Sequence, residues 1–157
     1  MAEPDNPTRR LAHTLAWGAL PEPGLITAGQ PTEADLAACA AEGIRTVIDL
    51  RPPEDDRGFT EPESAARLGL AYHCIPVTPD TLSDAQFDAV RAALTKPGDR
   101  PVLMHCRSAN RVGALLYPYL VLDAGYAPDA AFDIACAVGL RNAGYAEQAI
   151  AYVTARA

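Results

Sequence analysis

Short apolar segments rich in β-branched residues alternate with helical segments along residues 25–105. The candidate strands are residues 25–28, 46–50, 71–77 and 101–105. Segments with helical periodicity, each of roughly 8–12 residues, separate them. Because crossovers of this kind join parallel strands, the pattern predicts an α/β fold of three layers, with a mostly parallel central sheet flanked by helices.

Residues at the expected helix ends support this assignment. Thr32 stands three residues before Asp35, which is typical of an N-cap, and Gly43 ends the apolar helical face that follows. Ser83 and Gln86 have the spacing of a capping box. Both helices are therefore expected to begin where these polar residues stand.

The remainder of the chain is predicted to form a helical C-terminal half. The helical segments after residue 105 are residues 115–123, 130–138 and 145–153. Pro118 is expected to kink or interrupt the first of them. Residues 1–12 contain two prolines and several charges, which favours a flexible N-terminal tail. Without an internal repeat or a linker, residues 13–157 are expected to form a single catalytic domain.

Composition argues against several kinds of partner. The chain has 13 Lys and Arg against 20 Asp and Glu, a formal net charge of −7, so nucleic-acid and membrane binding are not expected. No apolar run approaches a membrane span, and a cytoplasmic location is expected. The four cysteines lack Cys-x-x-Cys spacing, and His13 and His73 lack ligand partners. Neither a disulfide scaffold, a metal site nor a cofactor is therefore expected.

The segment His-Cys-Arg-Ser-Ala-Asn-Arg, residues 105–111, follows the last candidate strand and precedes an apolar helical run. A loop at such a junction turns backbone N–H groups inward, and the helix dipole adds positive charge, which creates an anion-binding nest. Cys106 is expected at its base, in surroundings that favour the nucleophilic thiolate, and Arg111 is expected to clamp an oxyanion. These two are the candidate catalytic residues. The candidate substrate-binding residues are Arg107, Ser108, Ala109 and Asn110.

Other residues have weaker assignments. Asp80, on a loop that leaves a strand end, is the candidate general acid if the substrate is a phosphate ester, with Asp84 second. His105 is expected to fix the loop by hydrogen bonding rather than to act as a base. Arg51 and Glu54 are expected to form an ion pair near the pocket mouth. The remaining cysteines, Cys39, Cys74 and Cys136, are expected to be packing residues.

The distance between Cys106 and Arg111 distinguishes two superfamilies of cysteine enzymes that this segment resembles. Protein tyrosine and dual-specificity phosphatases use His-Cys-x5-Arg, whereas sulfurtransferases of the rhodanese type use Cys-x4-Arg. Here four residues intervene, and Val112 occupies the position of the phosphatase arginine. The shorter loop favours a cysteine persulfide over a phosphate ester.

A wider set of segments resembles the phosphatase-like domain of bacterial beta-lactamase-hydrolase-like proteins. Within residues 20–155 these are Ala28–Thr32, Thr46–Arg51 with Glu54, Ala71–Val77, Pro101–Arg111 and Val138–Arg141. The resemblance implies a cysteine-phosphatase fold of the dual-specificity type with a rhodanese-like loop. It also implies sulfane-sulfur transfer, because in several members the domain accompanies sulfide- or persulfide-oxidising modules. The family loop usually carries Gly where this chain has Ala109, a cost of about 1 kcal/mol if φ is positive there.

The expected function is therefore that of an enzyme, a cysteine-dependent sulfurtransferase. Cys106 would take sulfur from a small-molecule donor such as thiosulfate, hold it as a persulfide, and pass it to a thiol acceptor such as glutathione. The alternative is a tyrosine or dual-specificity-type phosphatase that forms a phosphocysteine at Cys106 and uses Asp80 as its acid. A second alternative is a non-catalytic anion-binding module.

Overall fold

A five-stranded sheet forms the centre of the computed structural model, which describes residues 6–96 and 98–157. The strands are β1 (Ala19–Glu22), β2 (Leu25–Ala28), β3 (Thr46–Asp49), β4 (Ala71–Cys74) and β5 (Val102–His105). Their spatial order is β1-β2-β5-β3-β4. The β1–β2 pair is antiparallel and the other pairs are parallel, which confirms the predicted, mostly parallel sheet.

Helices cover both faces of this sheet. They are α1 (Pro7–Thr14), α2 (Glu33–Ala41), α3 (Glu61–Arg67), α4 (Asp84–Thr95), α5 (Asn110–Leu122), α6 (Pro128–Val138) and α7 (Ala143–Thr154). On the central strand β5, Val102 and Met104 pack into the core formed with α4 to α7, whereas Leu103 packs into the core formed with α1 to α3. The predicted three-layer α/β fold is confirmed.

The predicted capping residues lie at the ends of α2 and α4. The Thr32 hydroxyl accepts a hydrogen bond from the Asp35 amide at 3.0 Å, and the Asp35 carboxylate accepts one from the Thr32 amide at 2.9 Å. At α4, the side-chain oxygen of Gln86 accepts from the Ser83 amide at 2.9 Å. These bonds satisfy N–H groups that a helix N-terminus leaves without an intrahelical partner.

The N-terminal prediction is wrong for residues 7–12. The Asn6 side chain caps α1 by accepting hydrogen bonds from the amides of Thr8 and Arg9, and Pro7 suits the first helical position. Leu11 and Ala12 then pack into the core beside α2 and α3. The rest of the predicted tail, residues 1–5, lies outside the described residues.

Two further elements differ from the sequence prediction. The antiparallel strand β1 was not predicted, because its four residues are half-buried and lack a clear alternation. Pro118 does not interrupt its helix, since α5 continues from Asn110 to Leu122. The reason is burial: residues 112–120 are enclosed by neighbouring helices, and this packing outweighs the hydrogen bond lost at the proline.

Leu11→Ala tests whether α1 belongs to the folded unit. Because Leu11 is 6% exposed, we expect the variant to lose about 2–5 kcal/mol of unfolding free energy in urea titrations followed by circular dichroism. His13→Ala, an exposed change on the same helix, is expected to shift stability by less than about 0.5 kcal/mol. Equal stability of both variants and the wild type would mean that α1 is not docked.

Candidate active site

Cys106 lies at the carboxyl end of the central strand, between β5 and α5, where parallel sheets commonly bind ligands. The residue is 1% exposed and lies in the wall of a pocket of about 390 Å³. The pocket is lined by Pro52, Asp55, Thr78, Pro79, Cys106, Arg107, Ser108, Asn110, Arg111, Asn142 and Tyr145. The structure therefore brings most of the predicted loop residues together in one pocket.

The backbone amides of the loop after this cysteine are unpaired within the described chain, a feature that an anion-binding nest requires. Among residues 6–96 and 98–157, the N–H groups of residues 107–112 have no protein acceptor. Those of residues 110–112 belong to the first turn of α5, where the helix dipole concentrates positive charge. A tetrahedral oxyanion beside Cys106 would supply the missing acceptors.

Ala109 has a left-handed backbone conformation, which favours glycine. Its φ is 62° and its ψ is 3°, which costs about 1 kcal/mol for an alanine. The side chain is fully buried and does not line the pocket; it faces Gly139 instead. A Cβ on Gly139 would lie 2.8 Å from the Cβ of Ala109, so glycine is required there. Ala109 thus contributes backbone geometry rather than a contacting side chain.

Two arginines bring positive charge to the pocket. One terminal nitrogen of Arg111, Nη1, donates to the Val77 carbonyl at 3.0 Å, which holds the guanidinium across the pocket wall. The remaining N–H groups of Arg111 make no hydrogen bond to the described part of the protein. Arg107 is exposed at the rim. The structure thus places both arginines at the pocket, whereas their roles as oxyanion clamp and in anion steering stay predictions.

A stacked arginine, which the sequence analysis did not assign, supports the loop from outside. Arg141 donates to the Ser108 carbonyl at 3.2 Å and to the Ser108 hydroxyl at 3.0 Å. Its guanidinium lies over the Trp17 ring, 4.2 Å from the centroid. The Asn110 side chain accepts from the Arg141 and Asn142 amides at 2.8 and 3.1 Å. Ser108 and Asn110 therefore tie the loop to the α6–α7 connection, a role that long-range pairing hides from the sequence.

The acidic residues near the pocket differ in their partners. Asp80 is exposed, follows the pocket-lining Pro79, and has no hydrogen bond or ion pair within the described residues. Asp84 begins α4 and pairs with Arg156 at 3.3 Å. Asp55, which the sequence analysis missed, lines the pocket and pairs with Arg51 at 3.2 Å. Arg51 therefore pairs with Asp55 and not, as predicted, with Glu54.

Behind the loop lies a fully buried group of charged side chains. The ring of His105 has Nδ1 3.2 Å from the Cys106 carbonyl oxygen and Nε2 2.6 Å from a Glu61 carboxylate oxygen. The other Glu61 oxygen accepts from the Gln30 amide group at 2.8 Å. Asp49 accepts from Arg57 Nε at 2.8 Å. His105 thus fixes the loop by hydrogen bonding, as its position suggested.

Asp49 carries a negative charge in this interior. Burial by itself raises the pKa of Asp49, but the positive charge of His105 and hydrogen bonds from Arg57, Tyr72 and the Arg51 amide together hold it below its ordinary value. Burial and the Asp49 carboxylate raise the pKa of Tyr72, so its hydroxyl remains a donor.

Asp49, Glu61 and His105 also have the composition of a metal site. Their ligand atoms lie within 4.8 Å of one another. Arg57 and Tyr72 already donate to Asp49, however, and His105 lies against Glu61. The Arg57 guanidinium supplies the positive charge beside Asp49 that a metal ion would otherwise supply, so the cluster is a hydrogen-bonded ion network.

The other cysteines lie in three different environments. Cys39 is fully buried in the α2 core, and burial followed by the Asp35 charge raises its pKa to about 12. Cys74 is half-buried and donates to the Arg51 carbonyl at 3.2 Å. Cys136 is exposed, so the prediction that it packs in the core is wrong. It lies on the solvent side of α6.

Solved structures share this architecture over most of both chains. A Shewanella putrefaciens protein, described as a candidate phosphatase of the DUF442 class, superposes with a TM-score of 0.79 at 20% identity over 94% of this chain and 97% of its own. The S. cerevisiae PP-IP phosphatase SIW14 superposes with a TM-score of 0.74 at 13% identity, over 88% of this chain and 86% of its own. P. aeruginosa TpbA, solved with pTyr, superposes with a TM-score of 0.63 at 22% identity, over 88% of this chain and 88% of its own. The fold is therefore that of the dual-specificity-phosphatase class.

Sequence comparison then defines the family. Residues 21–117, more than half of the chain, match the phosphatase-like domain of beta-lactamase hydrolase-like proteins, and the chain belongs to this family. The beta-lactamase hydrolase-like protein of Xylella fastidiosa is 36% identical over 104 residues, which are 63% of this chain and 24% of that protein. The Agrobacterium fabrum protein is 31% identical over 91 residues, which are 55% of this chain and 21% of that protein. The chain spans about a quarter of the length of these curated relatives.

These comparisons show that the expected sulfurtransferase function is wrong. The matching family is described as a phosphatase-like domain, and the Shewanella putrefaciens and SIW14 structures are described as phosphatases. The expected sulfur donor and thiol acceptor are therefore not supported. The error came from the number of residues between Cys106 and Arg111. With Ala109 in the left-handed conformation, α5 starts at Asn110, and the shorter loop still brings both side chains into one pocket.

No helix in the described part of the chain has the length and apolar character needed to cross a membrane.

Asp49→Asn tests the buried network through pH dependence. Because the folded-state pKa of Asp49 is below its ordinary value, ionised Asp49 stabilises the fold at neutral pH, and this contribution disappears as pH falls through the folded-state pKa. We expect the variant to lose about 3–5 kcal/mol at pH 7 and to show a weaker further loss below about pH 4 than the wild type. Urea titrations across pH measure both effects.

The exposed Asp133→Asn change is the control for this experiment, and it is expected to leave the pH profile unchanged. Parallel profiles for Asp49→Asn and the wild type would contradict a charged Asp49.

Proposed function

We propose that this chain is a cysteine-dependent phosphatase that hydrolyses phosphate monoesters through a phosphocysteine on Cys106. The observation that carries the proposal is that Cys106 and Arg111 line one pocket, beside loop N–H groups that have no acceptor among the described residues. Such an arrangement matches the tetrahedral shape and negative charge of a phosphoryl group. Membership of the phosphatase-like family supports the same reaction.

In the first step, the Cys106 sulfur forms a bond with phosphorus while the bond from phosphorus to the leaving oxygen breaks. The leaving oxygen takes a proton from the Asp80 carboxyl group, and the alcohol departs. Charge on the equatorial oxygens is stabilised by the loop amides and by Arg111. No metal ion enters this scheme, because the amides and Arg111 supply the positive charge.

In the second step, a water molecule attacks phosphorus and the phosphorus–sulfur bond breaks. Asp80, now a carboxylate, takes the proton of the water, Cys106 returns to the thiolate, and inorganic phosphate leaves. Asp80 suits this exchange better than Asp55 because Asp55 is already held by Arg51. Its exposure beside Pro79 leaves the carboxyl group free to turn towards a bound ester.

The substrate class is a small-molecule phosphate ester. The pocket of about 390 Å³ accommodates a phosphoryl group together with part of its leaving group. Arg107 and Arg111 provide local positive charge on a chain whose formal net charge is −7. The related folds include a protein solved with pTyr, so an aromatic phosphate ester belongs in a substrate panel.

Hydrolysis of para-nitrophenyl phosphate in the presence of EDTA tests the proposal. The wild type is expected to release nitrophenolate, and Cys106→Ser to lose at least about 1,000-fold in kcat, because serine is a far weaker nucleophile. Mass spectrometry after acid quenching is expected to find a phosphoryl group on the wild type alone. Phosphate binding without turnover would instead identify an anion-binding module.

Asp80→Asn tests the proton donor. We expect kcat for phosphotyrosine to fall by about 100-fold and kcat for para-nitrophenyl phosphate to fall less, since nitrophenolate leaves without a proton. Asp84→Asn removes a carboxylate that is held by Arg156 and is expected to change kcat by less than about two-fold. A larger loss for Asp84→Asn than for Asp80→Asn would reverse the assignment.

A further inference from the structure

A tyrosine outside the cysteine loop completes the pocket wall. Tyr145 lies on α7, lines the pocket together with Cys106 and Arg111, and is 7% exposed. Within residues 6–96 and 98–157, its hydroxyl group has no hydrogen-bond partner, although it is not sealed from solvent. Because this tyrosine lines the pocket and its hydroxyl has no protein partner there, the hydroxyl is available to a ligand bound in the pocket.

The position of this tyrosine is fixed relative to the loop. The side chain of Asn110, the first residue of α5, accepts hydrogen bonds from the Arg141 and Asn142 amides. The side chain of Asn142 in turn caps α7 by accepting from the Tyr145 amide at 3.0 Å. A short chain of hydrogen bonds thus connects the cysteine loop to the backbone of Tyr145 and fixes the start of α7 relative to the loop.

The electrostatic surroundings keep this hydroxyl a donor. Burial raises the pKa of Tyr145 above its ordinary value; the nearby Arg111 lowers it and Cys106 raises it. The hydroxyl therefore keeps its proton at neutral pH.

We propose that Tyr145 is a further catalytic residue, whose hydroxyl donates a hydrogen bond to a non-bridging oxygen of the phosphoryl group held at Cys106. This inference rests on the proposed phosphatase function. The hydroxyl transfers no proton; it adds a side-chain donor to the loop amides and Arg111. The bond forms with free phosphate, with the phosphocysteine and with the transition state between them.

The experiment compares Tyr145→Phe with Tyr117→Phe. Tyr117 is also a buried tyrosine without a hydroxyl partner in the described chain, but it lies on α5 outside the pocket, edge-on to Phe132. Inorganic phosphate is titrated against alkylation of Cys106 by iodoacetamide, and peptide mass spectrometry measures the modified fraction. This readout reports oxyanion binding without requiring turnover.

For Tyr145→Phe, we expect the half-protecting phosphate concentration to rise by about 10-fold to 100-fold, the effect of removing one donor to a charged oxygen. Its kcat/KM for para-nitrophenyl phosphate is expected to fall by a similar factor. Tyr117→Phe is expected to match the wild type in both measurements. Alkylation rates measured without phosphate show whether the substitution has changed the reactivity of the Cys106 thiol.

The outcomes separate this inference from the proposed function. Unchanged phosphate protection in Tyr145→Phe, with an active wild type, would overturn the role of Tyr145 and leave the phosphatase intact. A change only in the alkylation rate measured without phosphate would also overturn the role of Tyr145, because it would mean that the hydroxyl acts on the Cys106 thiolate and not on the phosphoryl group. Weakened protection with an inactive wild type would support Tyr145 and overturn the phosphatase. A wild type that phosphate never protects would overturn both.

Discussion

The cysteine loop depends on charges that the protein buries behind it. Asp49, Arg57, Glu61 and His105 lie at the centre of the molecule, where water is not available to solvate them, so each must be compensated by another. Removal of one partner from such a set costs about 3–5 kcal/mol. The network joins β3, the start of α3 and the end of β5, and its last hydrogen bond reaches the Cys106 carbonyl. It thereby sets the place where the loop begins.

Arg57 extends this network to the pocket wall. Besides Asp49, its guanidinium binds the carbonyl groups of Arg51, Pro52 and Asp55, which closes the segment after β3 around it. Pro52 and Asp55 are carried into the pocket as a result. On the opposite side, the Asn110–Asn142 contact positions α7. The cysteine loop is thus held by two long-range contacts, His105 with Glu61 on one side and Asn110 with Asn142 on the other.

The sequence was sufficient where the signal is local. Buried strands and capping residues follow from hydrophobic patterns and side-chain spacing, and the Cys106 nest follows from a strand–loop–helix junction within seven residues. It was insufficient for contacts between distant segments, such as those of Arg141 with Ser108 and of Tyr145 with the loop. The functional assignment failed because a residue count in the loop was given more weight than the surrounding fold. Strand β1 depends on pairing with β2 rather than on its own periodicity, whereas helix α1 has local signals in Asn6 and Pro7 that the sequence analysis did not use.

The contact between Gly139 and Ala109 has a mechanical consequence. The position of a Cβ on Gly139 is 2.9 Å from the Ala109 carbonyl oxygen and 3.0 Å from its carbonyl carbon, so the end of α6 lies directly on the loop backbone. The loop has no room to expand in that direction unless α6 moves with it. An empty pocket and a filled one should then differ little in shape, and an arriving anion loses little free energy to loop ordering. In this molecule, stiffness of the binding loop comes from a neighbouring helix end.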